Sequence, residues 1–365
     1  MDNTPLSVGI GLNKSQTMIF VTFRYLPGYP LSTLALNLYL CRVTLSLKLS
    51  IRNMDYLILL YYCYTPIEEP EAFREQHHLF CLSLNLRGRI IVASEGINGT
   101  VSGLKEDCEK YMATLKADPR FAGIDFKIEE SPKHGFQKLH VRVKPEIVHS
   151  GLTHIDPRKR TGKHLEPAEF KKMKDSEDVL ILDVRSIYEH SIGKFKNALT
   201  LDIENFRDFP EKVKELEKYK DKKVLTYCTG GIKCEKASAY LLEQGFKDVY
   251  QLHGGIIKYG IEEGGEDFEG KCYVFDGRVI ADINRVNPKV ISTCYVCGVE
   301  NDRMVNCANS VCNRHVPICE NCGWEMEGAC SAECKEHDEK RPYDGTGYYA
   351  KELNGYNPLK GLKRK

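Results

Sequence analysis

The sequence predicts a chain of mixed α/β and α+β class, and three observations predict it. Between residues 56 and 143, strand-like and helix-like signals alternate in the order βαββαβ, with one further strand. From residue 179, continuous apolar runs of the kind buried in parallel sheets alternate with helical stretches. Eight cysteines then crowd between Cys294 and Cys334. At 365 residues the chain is long enough for two or three domains. With 42% hydrophobic and 28% charged residues it is not globally disordered, collagen-like or built of repeats. A formal charge of +1 decides nothing about nucleic acid, because a basic face can be offset by acidic surface elsewhere.

Residues 1–53 read differently from the rest. Leucines alternate at 34, 36, 38 and 40 and again at 45, 47 and 49, without turn chemistry or a partner pattern. The expectation is a non-native or disordered extension with the true start at Met54, the alternative being an edge strand or hairpin. The apolar stretch Leu31–Ile51 contains Asn37, Arg42 and Lys48, and so falls short of the about 20 clean residues that a membrane helix needs. No secretory signal pattern precedes it. No membrane contact is expected, and the cysteines suit a reducing cytoplasm holding a metal cluster better than a disulfide framework.

Residues 54–145 read as a ferredoxin-like domain. Strands are expected at 56–63, 87–93 and 98–102, helices at 68–82 and 105–117, and further strands near 124–130 and 137–143. The turn Glu95-Gly96-Ile97-Asn98-Gly99 serves equally as a hairpin turn or a binding loop. Residues 146–174, rich in Pro, Lys, Arg and His, read as a linker. The charged run Asp156–Lys163 is a solvated surface or, alternatively, a phosphate contact.

Residues 175–270 carry the chemistry. Val179–Arg185 and Lys223–Tyr227 read as buried parallel strands. The second runs into Cys228-Thr229-Gly230-Gly231-Ile232-Lys233-Cys234, and a helix follows from Glu235. A thiol here lies at the carboxyl end of a strand, ringed by loop amides and facing a helix N-terminus, where anions are stabilised. Such surroundings favour thiolate, the nucleophilic form, and equally a persulfide anion. Gly230, Gly231, Lys233 and Arg185 are the candidate anion-stabilising residues. Cys234 is a possible second thiol, resolving or merely packed, and Cys228 itself has the alternative of a buried structural role.

The loop resembles the active loop of rhodaneses. Asp183-Val184-Arg185 with Tyr188-Glu189 resembles their first strand and helix start, and Leu252-His253-Gly254-Gly255-Ile256 their closing segment. Two departures stand out. Lys233 replaces the usual arginine, keeping the charge without the planar fork for bidentate binding, and Gly193-Lys194-Phe195 replaces the usual Gly-His-Ile.

Residues 271–365 form a cysteine-rich region. Cys294-x2-Cys297-x9-Cys307-x4-Cys312-x6-Cys319-x2-Cys322-x7-Cys330-x3-Cys334 supplies ligands for about two tetrahedral zinc ions. An iron–sulfur cluster and unmetallated packing cysteines are the alternatives. His315 is a spare ligand or a surface histidine. Four thiolates per ion leave no open position, so the metal would be structural. The spacing does not say which four cysteines share an ion.

From residue 54 to about 360, the chain resembles the rhodanese-domain tRNA uridine(34) hydroxylases. The likeness rests on Leu60–Thr65, Ser94–Gly103, Cys228–Ser238, Lys271–Asp276, Asn306–Asn309 and Gly328–Ser331. It implies oxygen-dependent conversion of the wobble uridine of tRNA to 5-hydroxyuridine, with tRNA as partner, molecular oxygen as co-substrate and Cys228 as the matched catalytic residue. Read without that resemblance, the loop suggests a thiosulfate or persulfide sulfurtransferase. A noncatalytic zinc-binding adaptor would tolerate loss of Cys228. No flavin or nicotinamide motif is visible, and nothing in the sequence specifies an oligomeric state.

Overall fold

The computed structural model describes residues 7–9, 20–22, 55–176 and 178–347. Within the first 53 residues it describes one antiparallel pair, Ser7–Gly9 on Phe20–Thr22. The expected N-terminal extension otherwise lies outside the described residues. From residue 54 onward the chain forms a separate unit.

That unit opens with β1 (Tyr56–Tyr64), α1 (Pro70–Ser83), β2 (Arg87–Ala93), β3 (Gly96–Leu104), α2 (Lys105–Ala117), β4 (Lys127–Ser131) and β5 (Leu139–Val143). The sheet order is β4-β1-β3-β2-β5, antiparallel throughout except for the parallel pair β2–β5. Four strands thus keep the ferredoxin-like order, and β5 extends one edge. β1 is apolar on both sides for a physical reason. Leu57, Leu59 and Tyr61 enter the core under the helices, while Ile58, Leu60 and Tyr62 face a cleft on the opposite side.

A second sheet follows, built from β6 (Lys163–Leu165), β7 (Val179–Asp183), β9 (Leu199–Thr200), β10 (Lys223–Tyr227) and β11 (Asp248–Leu252), in the order β9-β7-β10-β11-β6 and parallel throughout. The strand β8 (Gly193–Phe195) lies outside this sheet and pairs with β12 (Phe268–Gly270). The helices are α3 (Pro167–Ser176), α4 (Ile187–His190), α5 (Phe209–Lys212), α6 (Ile232–Glu243) and α7 (Gly255–Glu263). Apolar clusters cover both faces, which is why β7 and β10 read as unbroken apolar runs. Phe195, at one departure from the rhodanese pattern, is fully buried, with its ring centroid 4.8 Å from those of Tyr227 and Tyr259 and 5.4 Å from that of Phe268.

The stretch read as a linker, residues 146–174, is instead built into this domain. β6 pairs with β11, and Phe170 of α3 is fully buried. The composition misled because the Lys, Arg and His residues that dominate it are largely exposed, whereas the buried apolar side chains, Ile147, Leu152, Ile155, Leu165 and Phe170, are scattered among them. Upstream, Glu146 accepts hydrogen bonds from the Ser150 hydroxyl at 2.6 Å and from the fully buried Lys236 of α6 at 3.0 Å. Lys236 also pairs at 2.8 Å with Glu95, the residue that opens the β2–β3 turn. One buried ammonium therefore ties the first sheet, the connecting segment and α6 together. Replacing it strands two carboxylates, so Lys236→Met is expected to cost about 3–5 kcal/mol, the penalty for breaking a buried ion pair by removing one partner. Urea unfolding checks this, and an unchanged midpoint would contradict it.

The last described part contains β13 (Cys272–Tyr273) paired with β14 (Ile280–Ala281), β15 (Met304–Asn306) paired with β16 (His315–Pro317), and the short helices α8 (Glu320–Glu325) and α9 (Ala332–Lys335).

Candidate active site and metal groups

β10 is the central strand of the parallel sheet, and the chain turns at its carboxyl end through Cys228 to Gly231 before entering α6. Gly231 has φ 100°, a conformation that favours glycine, and its N–H points at the Cys228 sulfur from 3.2 Å. The carbonyls of Cys228 and Thr229 point the other way, accepting from Ile256 at 2.9 Å and Ile257 at 3.1 Å. Donors thus face the sulfur while acceptors are drawn off into α7, an arrangement that suits an anion. Burial alone pushes the Cys228 thiol up. The Cys234 thiol, the Lys233 charge and the backbone N–H groups of Cys234 and Gly231 outweigh that and bring it down to about 7. Cys234, fully buried, is pushed up by burial and by the neighbouring Cys228.

Cys228 is only 1% exposed, and it is reached through a cleft of about 330 Å³. The loop forms the floor. One wall is the open face of the first sheet, with Leu60, Tyr62, Arg89, Asn98 and Lys127, and another is the segment Val274–Arg278. The Tyr62 hydroxyl donates to Glu235 at 2.9 Å, and Glu235 also holds His164 at 2.8 Å and accepts from Gln251 at 3.1 Å. Lys127 is nearly buried, 5.0 Å from the Tyr62 ring centroid and 3.1 Å from Asp125. Burial holds its ammonium below the usual lysine range, and Asp125 offsets part of that effect.

The expected site residues separate in space. Cys228, Gly230 and Lys233 line the cleft, and Gly231 contributes its backbone to the thiol. The Lys233 ammonium pairs with buried Glu189, whose carboxylate also accepts from the Ser186 backbone at 3.1 Å. Arg185 does not join the cleft lining. It is fully buried, and its guanidinium is engaged by Asp183 at 2.7 Å and by the carbonyls of Gly193 and Glu189. Asp183, only two residues away, captures the fork that the linear pattern had offered to an anion.

The cleft walls escape residue-level reasoning, because β1, β3 and β4 lie far from Cys228 in the chain. A signal existed nonetheless. The segments Leu60–Thr65, Ser94–Gly103 and Lys271–Asp276, on which the resemblance rests, supply Leu60, Tyr62, Asn98, Thr100, Val274, Phe275 and Asp276 to the lining.

The eight tail cysteines gather into two groups able to hold metal ions: Cys294, Cys297, Cys319 and Cys322, and Cys307, Cys312, Cys330 and Cys334. The groups interleave along the chain. Backbone N–H groups reach the sulfurs of Cys294 at 3.3 Å and Cys307 at 3.4 Å. His315 belongs to neither sulfur group and is not a surface residue. It is half-buried, bonded to the Tyr273 hydroxyl at 2.9 Å and packed on Tyr188.

Among the described residues, no helix is long and apolar enough to cross a membrane. The chain matches a UPF0176 acylphosphatase like domain over residues 56–147, a Rhodanese-like domain over 166–262 and a Rhodanase C-terminal region over 269–335. A rhodanese-related protein of known structure from Thermoplasma volcanium aligns at 27% identity and a TM-score of 0.24, covering 28% of this chain and 93% of that one. Over 310 residues the chain is 74% identical to a tRNA uridine(34) hydroxylase of Cytophaga hutchinsonii, covering 85% of this chain and 99% of that one. Proteins of the same name from Enterococcus faecalis and Staphylococcus carnosus are 49% and 47% identical over 292 residues, covering 79% of this chain and 92% of each. With relatives of that name 74% and 49% identical over most of its length, and with the matched domains, the chain belongs to the tRNA uridine(34) hydroxylase family.

Proposed function

We propose that the protein hydroxylates the wobble uridine of tRNA at C5 to give 5-hydroxyuridine, with molecular oxygen as co-substrate and Cys228, as thiolate or persulfide, as its catalytic residue. The observation that carries this reading is one acidified thiol on the floor of a walled cleft of about 330 Å³. That space suits a single nucleoside drawn out of its stack. Attack of the Cys228 sulfur on C6 of uracil would turn C5 into an enolate carbon able to react with oxygen. The Gly231 and Cys234 backbone N–H groups and the Lys233 charge favour the anionic sulfur, and Lys127 and Arg89 are the first sheet's cations for the uracil carbonyls. Inserting one oxygen atom while the other leaves as water takes two electrons and two protons from a reductant.

Zinc fits the two sulfur groups. Zn–S bonds of about 2.3 Å set the sulfurs of a tetrahedron about 3.8 Å apart, and Cys297–Cys319, Cys312–Cys330 and Cys330–Cys334 lie at 3.8, 3.7 and 3.8 Å. Four thiolates around each ion would leave no place for oxygen or substrate, so the metal would organise the tail. Free thiols at both the loop and the tail suit a reducing cytoplasm.

The test is mass spectrometry of tRNA nucleosides from a deletion strain carrying the gene or an empty vector, with ¹⁸O₂ supplied to the purified enzyme and tRNA. The expected result is 5-hydroxyuridine restored by the gene and labelled by the gas. Rapid sulfur transfer from thiosulfate, with 5-hydroxyuridine unchanged by deletion, would establish the sulfurtransferase instead.

A further inference from the structure

The open face of the first sheet continues past the cleft to its β2–β5 edge. On β2, Ile90 and Val92 enter the helix-covered core, which turns Arg87, Arg89 and Ile91 to the open side. On β5, Leu139, Val141 and Val143 pack against the same core, which turns His140 and Arg142 to the open side. The parallel register sets Arg89 beside His140 and Ile91 beside Arg142. Arg87, Arg89, His140 and Arg142 are all exposed. Like charges on adjacent strands repel, and Arg142 and Arg89 indeed help to hold the His140 imidazole below its usual range, after its burial. Among the described residues, neither Arg87 nor Arg142 has an ion-pair partner. The opposite, β4 edge of the sheet differs: there the carboxylates of Glu129 and Asp276 are taken up by Arg278. The face therefore runs from a neutralised edge, through the cleft, to a basic edge, and Arg89 belongs to both cleft and edge. Apart from His140 the basic edge carries no ring on which a base could stack, so its chemistry is that of phosphate binding.

We propose that this β2–β5 edge binds the phosphodiester backbone of the anticodon loop on the strand leading out of the cleft, with Arg87, Arg89, His140 and Arg142 as the contacting residues. The inference rests on the proposed tRNA reading. Bound phosphates would relieve the cation repulsion, and the short path through Arg89 would fix the polarity with which the strand enters the cleft.

The test uses the full chain and an anticodon stem-loop RNA carrying uridine 34, comparing wild type, Arg87→Ala/Arg142→Ala and Arg87→Lys/Arg142→Lys. The alanine pair should raise KM at least about tenfold with the effect confined to KM. It should also flatten the slope of log affinity against log salt by about 1.4, at roughly 0.7 for each single-strand phosphate no longer neutralised. The lysine pair keeps the point charges and should stay near wild type, and thermal melting should be unchanged for both. Wild-type KM and salt slope in the alanine pair, a fall in kcat alone, or weakened affinity with an unchanged salt slope would each overturn the assignment. Failure of the wild type to hydroxylate uridine 34 would instead strike the functional reading, while the salt slopes of RNA binding would still decide the edge.

Discussion

Cys228→Ser is expected to abolish 5-hydroxyuridine formation, a loss of at least about a thousandfold given that serine supplies no thiolate near neutrality. The fold should survive, because serine is nearly isosteric and the loop carbonyls remain anchored to Ile256 and Ile257. The same chemistry sets a pH dependence. With the thiol near pH 7, the thiolate fraction rises with pH, so kcat/KM should fall about tenfold per unit below that value and level off above it. The Lys233 charge is one cause of the lowered value, so Lys233→Ala should move that limb to higher pH. Cys234→Ser should shift it too, and should cost less activity than loss of Cys228. Nucleoside mass spectrometry across a pH series, with melting curves for each variant, checks the set. A Cys228→Ser protein with wild-type activity would remove Cys228 from the chemistry.

Stripping the metal should have the second large effect. Structural zinc contributes an apparent free energy of about 10–16 kcal/mol to small zinc-binding folds, and seven of the eight cysteines share a cluster whose other members are Val305, Val316, Ile318 and Ala329. Elemental analysis should find about two zinc ions per chain. Strong chelation should expose residues 294–334 to protease and also lower activity, because the Val274–Arg278 wall extends from the β13–β14 hairpin, and Tyr273 of that hairpin is bonded to His315 of the tail. Iron in place of zinc, or a chelated protein that resists protease and keeps its activity, would count against the assignment.

Much of the fold was legible because it rests on local signals. The strand, double-glycine turn and helix around Cys228 are contiguous, and the alternating order of residues 56–143 needs no distant neighbour to be read. Other parts depend on packing that leaves no local period. β6 and α3 look like a linker because the few side chains that pack there, such as Leu165, Phe170 and Met173, are outnumbered by charged ones. Arg185 looks available to an anion because nothing in a linear reading shows Asp183 folding back on it. Tyr62 and Lys127 lie more than a hundred residues from Cys228; the resemblance of whole segments reached Tyr62, and nothing local pointed toward Lys127. The cysteine grouping was hidden because alternate pairs along the chain, not neighbouring ones, share a site.

The meeting of β1 with the loop has one more consequence. A Cβ on Gly230 would lie 2.7 Å from the Leu60 side chain, and one on Gly231 2.9 Å from the Tyr62 hydroxyl. These glycines therefore serve as a seam between two domains as well as an anion cradle. The central domain is not a transplantable cassette: a sulfurtransferase domain with bulkier loop side chains, grafted beneath this sheet, would wedge the seam open and admit bulk water to the sulfur. In this architecture, a side chain added at Gly230 or Gly231 must be matched by a change at Leu60 or Tyr62.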